Sequence, residues 1–151
     1  MAYNNFKYDV DADGIALVTW DMPGKSMNVF TEEVMVELNA ITDKVMADEA
    51  VKGVVFTSGK DSFSGGADLT MLKGMFEIYR KEKAKDPDKA VKILFEMTGK
   101  MTGLFRKIET SGKPWVSAIN GICMGGAFEL SLACHGRVVS DDPKVKMALP
   151  E

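Results

Sequence analysis

The sequence predicts an α/β fold in one domain, on three observations. Continuous apolar runs at residues 53–57 and 115–119 have the pattern of strands covered on both faces. Segments of helical periodicity separate these runs, so strand and helix alternate along the chain. Two glycine-bearing turns lead from the runs into helices, and such turns are where open α/β sheets bind ligands.

Residues 6–10 and 15–20 are β-rich runs parted by Asp11-Ala12-Asp13-Gly14, which reads as a hairpin turn with glycine supplying the unusual backbone angles. After a loop around Pro23 and Gly24, residues 31–48 place Val34, Leu38, Ile41 and Val45 on one helical face, with Thr31 as N-cap. The strand at 53–57 follows closely and is therefore parallel to its neighbour. From 69 to 113 the pattern is helical, interrupted at 79–89 by a stretch of mixed charge that reads as a solvated helix end and loop. The strand pattern returns at 115–119 and again at 137–140, with an apolar helix between them. No repeat, low-complexity tract or interdomain linker stands out.

At 151 residues with 46% hydrophobic content, the chain can build one ordinary core. A net charge of -3 disfavours nucleic acid or an anionic membrane as the main partner. The opening residues lack the basic and apolar stretches of an export signal, and no stretch reaches transmembrane length. Cytoplasmic localisation and buried, reduced Cys123 and Cys134 are the corresponding expectations.

The chemistry concentrates in the two glycine turns, Ser64-Gly65-Gly66-Ala67-Asp68-Leu69 and Met124-Gly125-Gly126-Ala127-Phe128-Glu129. N–H groups at a helix start lack internal partners and carry partial positive charge, so two such turns at one cleft could hold a developing oxyanion. Taken alone, a Gly-Gly pair serves close packing of helix on strand equally well. Neither turn has the dinucleotide fingerprint, and no P-loop occurs. Glu129 stands among Ala127, Phe128, Leu130 and Leu132 on a helix expected to be buried, where a carboxylate needs a partner or a purpose; an exposed stripe is the alternative. The single histidine, His135, reads as a helix C-terminal residue, and zinc-ligand spacing is absent.

Four stretches in order, Phe63-Ser64-Gly65-Gly66-Ala67-Asp68-Leu69, Lys113-Pro114-Trp115-Val116-Ser117-Ala118-Ile119-Asn120-Gly121, Gly125-Gly126-Ala127-Phe128-Glu129-Leu130 and Ala148-Leu149-Pro150-Glu151, resemble the crotonase (enoyl-CoA hydratase/isomerase) superfamily. Pro23-Gly24-Lys25-Ser26-Met27-Asn28 and Ala133-Cys134-His135-Gly136-Arg137-Val138 look most like the hydratase region at the front of multifunctional fatty-acid oxidation proteins, in which a 3-hydroxyacyl-CoA dehydrogenase follows. The resemblance implies the ClpP/crotonase fold, a repeated ββα spiral core, with residues 1–151 as its N-terminal portion and the C-terminal part missing. It implies a lyase that adds water to a 2-trans-enoyl-CoA in β-oxidation. An enoyl-CoA isomerase on the same scaffold and a non-catalytic acyl-CoA binding fragment are the alternatives.

Carried over by motif, the N–H groups of Ala67 and Gly126 form the oxyanion hole and Glu129 and Glu151 are the catalytic pair. Asp68, Leu69 and Thr70 line the acyl-CoA site together with Ala67 and Gly126, and Asn28 falls near the nucleotide end of CoA. Hydration needs no metal or cofactor beyond the CoA thioester itself; NAD enters only if a dehydrogenase domain follows. The implied partners are further copies of the chain, or a thiolase in the full-length protein. Thr70 stands where relatives often carry lysine, Ala127 where a third glycine is common, and the 69–113 segment is longer than in simple hydratases.

Overall fold

A computed structural model describes residues 3–150. Strands β1 (Phe6–Val10) and β2 (Ile15–Trp20) form the predicted antiparallel hairpin. Its turn closes through Gly14, whose φ of 84° suits glycine, and Asp11 Oδ1 accepts from the N–H groups of Asp13 and Ile15. Helix α1 (Glu32–Ala47) begins at Thr31, whose hydroxyl accepts from Val34 N at 3.2 Å, and it buries Val34, Leu38, Ile41 and Val45 as the periodicity requires. Strand β3 (Gly53–Ser58) follows.

The 69–113 region resolves into helices α2 (Leu69–Lys83) and α3 (Pro87–Glu109), parted at Ala84–Asp86 inside the charged stretch. Asp86 caps α3 and Pro87 starts it, so the break is encoded by a cap followed by proline. Strand β4 (Trp115–Ile119), the two-residue β5 (Cys123–Met124), helix α4 (Gly126–Ala133), β6 (Gly136–Val139) and β7 (Met147–Ala148) complete the chain.

The main sheet has the order β1-β2-β3-β4-β6, antiparallel at the hairpin and parallel elsewhere. A second layer of short extended segments lies after the parallel strands. Phe30 bridges Ala67, Ser64 bridges Cys123, and β5 pairs with β7, all parallel. Long strand, short segment and helix thus recur three times, from β2, β3 and β4, and β6 with β7 begins a fourth. This is the ββα spiral expected of the resemblance.

Alternate residues of the strands meet α1 and α3 in a shared core of Val18, Trp20, Phe30, Leu38, Phe56, Ile108 and Trp115, each 1% exposed or less. Trp20 sits at its centre, 4.8 Å from Phe30 and 5.9 Å from Phe6 between ring centroids. One expectation is corrected here. Strand β6 is not covered on both faces: Val138 is 63% exposed and Val139 40%, because β6 is the edge of the sheet and no described helix packs over it. Among the described residues no helix is long and apolar enough to cross a membrane.

Phe56→Ala removes a ring that packs tilted against Trp20 and edge-on to Phe63 in this core. It is expected to cost about 4 kcal/mol, measured as a fall in the denaturant midpoint with an unchanged slope.

Candidate active site

The first glycine turn is held from both sides by backbone. Phe30 N donates to Gly66 O at 2.8 Å, Asp68 N to Phe30 O at 2.9 Å, and Gly65 N to Asn28 O at 3.0 Å. On the other flank Ser64 N donates to Ile122 O at 2.9 Å and Met124 N to Ser64 O at 3.1 Å. The Ser64 hydroxyl ties the turn internally, donating to Asn28 O and accepting from Gly66 N.

This pairing decides where the Ala67 amide points. In a parallel bridge the residues on either side of Ala67 bond to Phe30, so Ala67 directs its own N–H to the opposite edge. That N–H has no acceptor among the described residues. Gly126 is the first residue of α4, and its N–H likewise has no described acceptor and lies at the positive end of the helix. The two turns press together: a Cβ placed on Gly66 would sit 2.7 Å from Met124 O and 3.5 Å from Gly126 N. Only glycine allows this approach, and its φ of 89° asks for glycine independently. Two unpaired N–H donors therefore come from turns in direct contact, the arrangement the sequence left open.

A cleft of about 420 Å³ lies beside the second turn, walled by α1, α2, α3 and α4. Met71, Met75, Met97, Met101 and Phe105 line it, with Glu129. Met101 connects cleft to turn, since a Cβ on Gly126 would lie 3.3 Å from its Cε and Sδ. Helix α4 is not buried all round: Gly126, Ala127, Leu130 and Ser131 face inward, while Glu129 and Leu132 are exposed. The sequence alternative of an exposed stripe is thus the one realised, and that stripe faces the methionine cleft. The Glu129 carboxylate has no hydrogen-bond or ion-pair partner among the described residues. Glu151 lies outside the described residues; β7, shortly before it, runs beside the second turn, with Gly125 N donating to Ala148 O at 2.9 Å.

Asn28 has a different task from the one the resemblance assigned. It is fully buried, its Nδ2 donating to Trp20 O, Ser58 Oγ and Phe63 O and its Oδ1 accepting from Met22 N. The side chain anchors the strand ends beneath the first turn. Leu69 is 79% exposed and Thr70 exposed, at the mouth of the cleft. Asp68 caps α2, and the Met71 N–H at its Oδ1, joined by that of Thr70, holds its carboxyl below the usual carboxylate range. His135 is structural, its Nδ1 accepting from Trp115 N at 3.1 Å. Cys123 and Cys134 are free and buried; burial pushes their thiols up to about 11 and about 12, so neither is a nucleophile. Sequence reasoning missed the methionines and Ser64. The signal was present for the former, in pairs four residues apart at 71/75 and 97/101.

Residues 11–151 match the family described as enoyl-CoA hydratase/isomerase. The chain is 40% identical over 147 residues to the fatty acid oxidation complex subunit alpha of Idiomarina loihiensis, a match covering 97% of this chain and 19% of that protein. It is 41% identical over 140 residues to the like-named subunit of Shewanella frigidimarina, covering 92% and 18%. A solved enoyl-CoA hydratase/isomerase of Xanthobacter autotrophicus is similar at TM-score 0.78 and 26% identity, covering 99% of this chain and 50% of that one. An enoyl-CoA hydratase of Bacillus anthracis shares the fold at TM-score 0.72 and 22% identity, covering 95% and 49%. The chain spans less than a fifth of the curated relatives and about half of the solved structures.

Gly66→Ala adds both a strained φ and a collision with Met124 O, and is expected to lower stability by about 3 kcal/mol in chemical denaturation. For Asp68, a depressed carboxyl contributes stability above its unfolded value of about 3.9, and that contribution disappears as pH falls through the folded value. Hydrogen exchange in the first turn of α2 should therefore speed up in acid. Asp68→Asn keeps the cap but removes this pH dependence, whereas Asp68→Ala costs about 1 kcal/mol at neutral pH.

Proposed function

The chain belongs to the enoyl-CoA hydratase/isomerase family, and from that premise we propose that it forms the front portion of a hydratase that adds water to a 2-trans-enoyl-CoA. The reading is supported by the contact between the two glycine turns, whose Ala67 and Gly126 N–H groups have no described acceptor, and by the largely apolar cleft beside the second turn, which includes Glu129.

The thioester carbonyl accepts from both N–H groups. Water adds its oxygen to carbon 3, the π electrons move to the carbonyl oxygen, and the two fixed donors stabilise the enolate by several kcal/mol, roughly 3 for each donor lost in comparable sites. One of Glu129 and Glu151 takes a proton from the water while the other delivers a proton to carbon 2, which restores the thioester. Their starting protonation states are interchanged after a turnover and reset through solvent. Asp68, Leu69 and Thr70 border the path by which acyl-CoA enters. Neither metal nor redox cofactor takes part in this step.

The relatives named as alpha subunits of a fatty acid oxidation complex support a role in β-oxidation as part of a longer protein, for which a cytoplasmic location is part of the proposal. On this reading a 3-hydroxyacyl-CoA dehydrogenase using NAD follows, and a thiolase is the partner. Residues 1–151 are then part of its hydratase domain.

In the full-length protein, Glu129→Gln should lower kcat for hydration at least about 100-fold, followed as the loss of enoyl-thioester absorbance, with the affinity for a saturated acyl-CoA largely kept. Unchanged turnover would remove Glu129 from the reaction. Faster conversion of a 3-enoyl-CoA to its conjugated isomer than hydration of the 2-enoyl-CoA would favour an isomerase instead.

A further inference from the structure

Helix α4 carries the Gly126 N–H at its start, yet no side chain caps it. Helices α1, α2 and α3 each begin at a residue whose side chain accepts from the first turn: Thr31, Asp68 and Asp86. At Gly125 there is no such bond. A cap there would set a side-chain oxygen against the N–H groups of that turn. The direction of this eight-residue helix is therefore set from elsewhere along its length.

The tie is Ser131. It is wholly buried, as are Ser117 on β4 and Cys123 on β5. Its hydroxyl donates at 3.0 Å to the carbonyl oxygen of Ala127, the residue after Gly126. With its one proton used there, Ser131 Oγ can only accept from its other neighbours. Ser117 Oγ lies 3.0 Å away and Cys123 Sγ 3.8 Å, so both donate to it. One oxygen thus joins α4 to β4 and to β5, the strand that leads straight into the second turn. At the far end of the helix, Arg137 Nη1 on β6 donates to Ser131 O at 3.0 Å.

We propose that the Ser117–Ser131 hydrogen bond is a positioning device for the oxyanion hole: it fixes α4 against β4 and so aims the Gly126 N–H. The inference rests on the hydratase reading of the site. Two buried hydroxyls carry a desolvation cost that an apolar pair would avoid. What they return is direction, since a hydrogen bond fixes distance and angle whereas hydrophobic contact is non-directional. Direction matters here because displacing a reacting geometry by about 1 Å can slow a reaction on the order of 100-fold. Asn28 does the corresponding work beneath the first turn. Each donor then has its own buried polar anchor, and neither anchor lines the cleft.

The test uses the full-length protein and cinnamoyl-CoA, whose long-wavelength absorption moves to the red as its thioester carbonyl is polarised. Ser131→Ala and Ser117→Ala should each reduce that shift at saturation. Each should also lower kcat for hydration of 2-butenoyl-CoA about tenfold, less than the loss of a whole donor. KM and the affinity for butanoyl-CoA should stay within about twofold, as befits an interaction felt in the transition state. The double variant should be no slower than Ser131→Ala, because the two hydroxyls act as a unit. Ser117→Ala leaves the bond from Ser131 to Ala127 O in place, so it decides the matter where Ser131→Ala does not fold; thermal melts are recorded for each. Folded variants that keep the full red shift overturn the proposal, whether or not kcat falls. Absence of a red shift in the unaltered protein removes the oxyanion-hole reading itself, and the proposal with it.

Discussion

The site depends on one constraint: the backbone at Ser64–Ala67 is hydrogen-bonded at once to the segment around Phe30 and to that around Cys123. Successive amides in an extended segment point to opposite sides, so register alone decides which N–H faces the cleft. A slip by one residue would turn the Ala67 amide into the ladder and the Asp68 amide out of it. Ser64 guards against that slip, because its hydroxyl already holds Gly66 N and Asn28 O. The open direction of the Ala67 amide follows from bonds that its neighbours make.

Ladders this short would not persist by themselves. They persist because Asn28, fixed by its hydrogen bonds under the first turn, and Phe30 and Phe63, both wholly buried, tie the second layer to the core. Burying an amide side chain is unfavourable unless its donors and acceptor are met, and here they are. Any displacement of the turn would leave several polar atoms unpaired together. The donors are thereby preorganised by a buried polar group that touches no ligand, and an enolate can be stabilised there without reorganising the backbone.

Much of this was legible in the sequence, and the remainder was illegible for physical reasons. The central strands announced themselves as continuous apolar runs and α1 through its helical pattern, because each has apolar surface to bury. The glycine turns were visible as residue types, yet their meeting was not, since the bridges joining them involve one or two residues and carry no periodicity. Asn28 entered only through the resemblance, near the nucleotide end of CoA; its part as a buried anchor carries no local pattern and needs the closure of β2, β3 and Phe63 around it. Val138 and Val139 looked like a covered strand because composition cannot tell an edge from a centre. Glu129 could be read either way, as the apolar residues of α4 surround it in sequence without enclosing it in space.

The two sides of the cleft differ in how firmly they are held. The side with the amides is backbone locked into two ladders and a helix terminus over a fully buried core. The opposite side is α2, which has no buried residue and leaves Phe76 and Ile78 about half exposed. Met71 and Met75 give that side unbranched, pliable side chains. On the proposed reading this division suits the two parts of the ligand. The thioester is identical in every substrate and gains from rigid donors, whereas the tail varies in length and gains from a wall that yields.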